Sequence, residues 1–222
     1  MSYFSQDFVD FFKELSKNNN TTWFHANKKR YEQSVKGPFE DFVAEIISRM
    51  QKEDPDIKIM PKEAIFRINK DLRFSRDKRP YKEHMAAVVT RGGKKGKDYP
   101  GIFFHIGANG IFVGGGLHKI ETGDIVKVRS AISQNMKEFA AIVNDKEFKK
   151  KFGVLKGDKN KVVQPEFKKD MEEQPLIANK NFYFMAEYKD PTTATRKDLV
   201  DFMMDHYKVG KKLSKFLADA VK

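Results

Sequence analysis

The chain has 222 residues, with 43 Lys and Arg against 31 Asp and Glu, a net charge of +12, and no cysteine. That composition excludes disulfides, Cys-ligated zinc and a thiol nucleophile, and 40% hydrophobic content with 13% aromatics excludes a disordered chain. The positive excess draws anions, nucleic acid among them, toward the surface.

Twenty Phe against one Trp predict a Phe-rich core. The opening stretch MSYFSQDFVDFFKEL has no basic segment followed by an apolar one, so it reads as an amphipathic helix rather than a signal peptide. Phe4, Phe8, Phe11, Phe12 and Leu15 recur at helical spacing, with Ser5 as N-cap. Asn18-Asn19-Asn20 ends that helix, and Thr21 or Thr22 caps the next, which carries Trp23, Phe24, Tyr31 and Val35. Trp23 and Phe24 suit a core better than a binding platform. Gly37-Pro38 breaks or restarts the helix, and Phe39, Phe42, Val43, Ile46, Ile47 and Met50 then form one apolar stripe.

The middle of the chain is β-like. Residues 64–69 alternate, which puts Phe66 and Ile68 on a core face and Arg67 and Asn69 on the other. Met85–Thr90 reads as a second strand, and Arg91–Lys97 as a flexible basic hairpin tip. Gly101–Gly107 and Ile111–Gly115 pair through Ala108-Asn109-Gly110, where Asn-Gly is a strong hairpin signal. A helix is expected from Thr122 or Asp124 to about Val143, and a short one over Lys146–Phe152 ending at Gly153. Residues 154–180 read as irregular and Asn181–Tyr188 as a strand. Thr195 with Asp198 resembles a capping box for a helix over Arg196–Tyr207, which Gly210 separates from a last helix. The order helices, strands, helices predicts an α+β fold, a mostly antiparallel sheet flanked by N-terminal and C-terminal helices, in one domain over residues 1–222. No apolar run approaches the roughly 20 residues of a membrane span, and a soluble cytoplasmic protein without membrane partners is expected.

The segment from Arg67 to Lys82 holds seven Lys or Arg and two Asp in sixteen residues, threaded with Phe74, Pro80 and Tyr81. Arg offers planar paired donors that match carboxylate or phosphate, so the segment suits an anion. Arg67, Arg73 and Lys82, with Lys78 nearby, are the candidate anion-holding cations, Asp71 and Asp77 their orienting carboxylates, and Asn69 shares the face of Arg67. The bland alternative is an internal ion-pair network holding a loop to the sheet.

Five histidines are scattered through the chain, of which His84, His105 and His118 fall in the sheet region. None has H-x-x-x-H or H-E-x-x-H spacing, so no metal site is assigned and no cofactor is named. His105 and Tyr81 are the candidates for proton transfer. Gly114-Gly115-Gly116 ends a strand without a P-loop or dinucleotide fingerprint, and reads first as a bulge or tight bend and second as a close approach of a ligand or of another backbone.

These residues resemble Domain of Unknown Function 2461, a family of conserved hypothetical proteins of bacteria and fungi. The likeness begins with Phe11 to Leu15 and continues through Asn18–Phe24, Lys28, Tyr31 and Pro38. Its most specific part is the Arg67–Lys82 block, which looks like the family's Arg-x-Asn-Arg-Asp-x-Arg-Phe-x-x-Asp-Lys-x-Pro-Tyr-Lys, with Lys70 standing where Arg is usual. His105 with its aromatic strand, the glycines ending in Gly116, and Arg129 also fit. The resemblance implies one domain over most of the chain and a basic block acting as a unit, and adds Gly116 and Arg129 to the candidate ligand-binding set.

Three functions follow from this reading. The first is a pocket for a small phosphorylated or carboxylated ligand, binding or enzymatic. The second is a nucleic-acid-binding module. The third is a structural or protein-interaction domain whose basic block is an ion-pair network.

Overall fold

The computed structural model describes residues 2–73, 75–96 and 101–222. Phe74 of the basic block and Lys97 of the basic loop lie outside the described residues. The chain gathers into two compact units, the first of Met1–Lys95, Phe103–Val113 and Glu187–Asp205, the second of Gly96–Ile102, Gly114–Ala186 and His206–Lys222. The fold is α+β, with a four-stranded antiparallel sheet in the order β1 (His84–Val89), β2 (Ile102–Gly107), β3 (Gly110–Leu117), β4 (Phe182–Tyr188) and helices at both ends of the chain.

The first unit begins with α1 (Gln6–Lys17), which ends at Asn18 as the Asn run requires. The cap of α2 (Thr21–Ala26) is Asn20 rather than a threonine, because the Asn20 side chain accepts from the Trp23 backbone N–H at 2.9 Å. A short α3 (Lys28–Arg30) runs into a wide π-helical turn over Tyr31–Lys36, and α4 (Gly37–Gln51) follows with Pro in its first turn. All six stripe residues of α4 are buried. Phe39 and Phe42 meet Phe104 of β2 at ring-centroid distances of 6.0 and 5.6 Å, and Phe4 and Phe8 complete the cluster. Each such ring removed from water contributes on the order of 2 kcal/mol.

Helix α5 (Pro61–Ala64) takes Ala64 into a helix, and residues 65–69 of the expected strand do not form a continuous ladder. Ile65 bridges Ala87 and Asn69 bridges Tyr81, while Lys82 N–H donates to Ile68 C=O at 2.8 Å. Ile68 is buried and Arg67 and Asn69 are exposed, as alternation predicts, but Phe66 is only half-buried and meets Phe103. The basic loop after β1 is pinned rather than loose. Lys94 donates to the carbonyls of Lys62 and Ile65, and Arg91 pairs with Asp54 and Asp56. The β2–β3 hairpin turns at Gly110 with φ +94°, a conformation that suits glycine.

In the second unit the helix expected over 122–143 is two helices, α6 (Thr122–Gln134) and α7 (Met136–Val143), because Asn135 leaves helical geometry at φ −127° and ψ 38°. Helix α8 (Lys146–Phe152) ends at Gly153 with φ +73°, and α9 (Lys168–Glu173) punctuates the 154–180 region. The two C-terminal helices expected on either side of Gly210 are one, α10 (Leu199–Ala220). Gly210 lies inside it because a Cβ there would collide with the Phe184 ring, at 2.5 Å from Cε2. Phe184 also packs on Phe148 and Phe152 at 5.2 and 4.7 Å. Among the described residues no helix is long and apolar enough to cross a membrane.

Candidate functional site

The basic block is a strap that leaves and rejoins the sheet edge. Lys70 N–H donates to Pro80 C=O at 2.8 Å, closing the loop between them. Two aspartates organise the interior of that loop. Asp71 accepts from the Arg73 backbone N–H and from its guanidinium at 3.0 and 2.7 Å. Asp77 accepts from Lys70 Nζ at 2.8 Å and from Arg79 through both Nη2 and the backbone N–H. The Arg79 side chain, then Lys70, hold the Asp77 carboxyl far below the usual range, and Arg73 does the same for Asp71 to a smaller degree. Arg79 also reaches Glu83 at 2.5 Å.

The strap is anchored by a contact that its own residues do not announce. Asn19, in the turn after α1, donates its side-chain N–H to Tyr81 C=O at 3.0 Å and accepts the Tyr81 backbone N–H at 3.1 Å. It pairs with the backbone as a neighbouring strand would. The Tyr81 ring stacks on Phe24, with centroids 4.0 Å apart and planes 16° apart. Tyr81 is therefore a buried anchor, and Asn19 and Phe24 hold it in place.

Within this first unit a cleft of about 580 Å³ opens beside the strap, inside the range of small-molecule pockets. Its cations are Lys70, Arg79 and Lys82 from the strap and Lys189 after β4. Glu83 and Glu187 also line it, so cations exceed carboxylates by two. His84, His105 and Phe112, from β1, β2 and β3, form one of its walls. The backbone of the hairpin turn, Gly107 to Gly110, completes it. Gly107 has no room for a Cβ, since the backbone of Glu83 and His84 passes against it.

The two imidazoles meet edge to face, ring centroids 4.2 Å apart. Burial first, then His105, Lys82 and Lys70, push the His84 pKa down to about 3. Burial pushes His105 down to about 4. Both rings are therefore neutral at pH 7, and each offers one donor and one acceptor nitrogen. Burial, with Arg67 adding repulsion, also lowers the pKa of Lys82. Its Nζ donates to Arg67 C=O at 2.7 Å and lies 5.8 Å from the centre of the Phe66 ring.

The sequence candidates separate into three places. Lys82 and His105 line the cleft. Arg67, Asn69, Asp71, Arg73, Asp77 and Lys78 belong to the strap but do not line it, with Arg73 77% exposed and Lys78 donating to Leu72 C=O. Gly116 and Arg129 belong to the second unit. The close approach at Gly116 is backbone, for a Cβ there would run into Phe182 C=O. Arg129 is 2% exposed and spends its donors on neutral oxygens, with Ile177 C=O at 2.8 Å, Gln164 Oε1 at 2.6 Å and Asn179 C=O at 3.3 Å. His118 packs on Tyr183 in that unit, and His84 and His105 meet each other in the first. Among the described residues no group of three or more His, Asp or Glu gathers as a metal site would require.

The sequence reading missed Lys70, Arg79, His84 and Lys189 as cleft residues. A signal for His84 was present, since His84 alternates with the core residues of β1 as His105 does in β2. The family model for DUF2461, a conserved hypothetical protein, matches residues 7–216. The chain belongs to the DUF2461 family. No curated protein and no solved structure matches it. The strap, its Asn19 anchor and the cleft all fall inside the matched DUF2461 region.

Proposed function

We propose that the cleft beside the strap binds a small phosphorylated or carboxylated molecule. The observation that carries this reading is the gathering of Lys70, Arg79, Lys82 and Lys189 around one cavity whose carboxylates do not balance them. Asp77 fixes two of these cations from outside the cavity, so an incoming anion meets donors already in place. The neutral imidazoles add hydrogen-bond donors without adding charge. A bound dianion raises the pKa of both, which turns His105 from a weak base into one able to hold a proton near neutral pH. Proton transfer on the ligand is thus the chemistry this DUF2461 cleft suits best. We also propose that the chain works in the cytoplasm and unfolds as a single domain, which calorimetry tests as one two-state transition.

Thermal shift with inorganic phosphate and with citrate tests the binding. Either anion should raise the Tm of the wild type and of Arg73→Ala, whose side chain does not line the cleft. Lys82→Ala should lose that rise while keeping its Tm in the absence of the anion within a few degrees. Equal stabilisation of Lys82→Ala and wild type would sink the assignment.

A further inference from the structure

The wall of the cleft is part of a longer row of rings. Phe66 meets Phe103 at 6.3 Å, Phe103 meets His105 at 6.2 Å, and His105 meets both Phe112 at 4.3 Å and His84 at 4.2 Å. Along β2 these rings alternate with Ile102, Phe104 and Ile106, of which Phe104 and Ile106 are fully buried. The core rings Phe39 and Phe42 meet Phe104, so the row lies on the opposite face of the sheet. All five rings are half-buried. A sheet face that serves only to meet water carries polar side chains in such positions.

Cations and acceptors flank the row. Lys82 lies against Phe66 and lines the cleft together with Lys70 and Arg79. Glu187 lines the same cavity, and so does Asn109 at the hairpin turn. A site for a bare anion gains nothing from a carboxylate, whereas a ligand with hydroxyls or an amino group uses one as an acceptor. A cavity of about 580 Å³ is also far larger than an inorganic ion needs.

We infer that the ligand is a nucleoside monophosphate, its base stacked on the Phe112 ring with His105, inclined 69° to that ring, beside it, and its phosphate held by Lys70, Arg79 and Lys82. The inference rests on the anion-binding reading above and adds the heteroaromatic half of the ligand. A benzene face accepts any base, because every base has a π-face, so purine and pyrimidine nucleotides both bind. The same chemistry reaches the cleft from a free nucleotide or from a nucleotide within a single strand, and the closed turn at Gly107–Gly110 favours the free form.

Calorimetric titration with AMP, UMP, ribose 5-phosphate and a short single-stranded adenine oligonucleotide tests it. AMP should bind about tenfold tighter than ribose 5-phosphate, the factor one stacked base supplies. Phe112→Leu should bring AMP down to the affinity of ribose 5-phosphate while leaving ribose 5-phosphate binding unchanged. Upfield ring-current shifts of the adenine protons report the stack by a second route. Equal binding of AMP and ribose 5-phosphate by the wild type, with no ring-current shift, overturns the inference and leaves the anion site standing. An oligonucleotide that binds tighter per nucleotide than AMP, with steep loss in salt, overturns the assignment to a free nucleotide. Failure of every phosphate compound to bind overturns the anion reading itself, and this inference with it.

Discussion

Acidification from pH 7 to pH 5 should destabilise this protein through His84 and His105. Their folded pKa values are about 3 and about 4, against 6.5 for the unperturbed imidazole. Because the folded values lie below the unfolded one, the unfolded chain takes up protons that the folded chain refuses. The stabilisation is complete above about pH 6.5 and drains as the pH falls toward about 4 and 3, below which no more is lost. Over pH 7 to 5 the linkage integral gives about 2 kcal/mol for each ring as an upper bound. Both rings are part-exposed and His105 accounts for part of the His84 shift, so the pair together should cost about 2–3 kcal/mol. Asp71 and Asp77 do not confuse this window, since both are depressed from 3.8 and titrate below it. Urea denaturation at the two pH values, on wild type and on His84→Gln/His105→Gln, isolates the effect. The wild type should lose about 2 kcal/mol more than the double variant. Parallel losses in the two proteins would refute the burial of neutral imidazoles in this cleft.

Arg129→Met should cost about 2–4 kcal/mol in denaturant unfolding, because it leaves the Ile177 and Asn179 carbonyls and the Gln164 side chain without their donor. A loss under about 0.5 kcal/mol would mean that these oxygens find other partners at no cost. Gly110→Ala combines a φ of +94° with a Cβ driven into Tyr188 C=O, so its Tm should fall sharply, by more than the roughly 1 kcal/mol of the backbone term alone. Gly123→Ala, in the first turn of α6 with open space around its Cβ position, should instead raise stability by about 0.5–1 kcal/mol.

The legible parts of the fold are those where one periodicity runs long enough to choose a face. The α4 stripe and the β2–β3 hairpin stand in the sequence almost residue for residue, because six apolar positions and an Asn-Gly turn leave little choice. The illegible parts turn on long-range contacts. Gly210 reads as a break until Phe184, 26 residues earlier in the chain, needs the space of its missing Cβ. Residues 64–69 alternate as a strand does, yet the strap leaves the β1 edge after Phe66 and from Ile68 onward pairs with Tyr81 and Lys82 instead. Asn19 looks like a helix stop, and it is also the pairing partner of Tyr81 across 62 positions of chain.

The candidate site was legible as a charge pattern and not as a geometry, and the reason lies in Asp77. Seven cations against two aspartates leave a surplus, but composition does not say which cations the aspartates take. Asp71 takes the exposed Arg73. Asp77 takes Lys70 and Arg79, the two strap cations that, with Lys82, line the cleft. An internal ion-pair network and an anion pocket are thus not opposed readings of this block. Holding Lys70 and Arg79 from one side removes their rotamer freedom before any ligand arrives, so the ordering cost is met in folding rather than in binding. Asp77 does not line the cavity, and its charge offsets part of the attraction while its geometry sharpens it. Substituting Asp77 would therefore free the cations and still weaken an anion's hold, an outcome that a simple count of charges gets backwards.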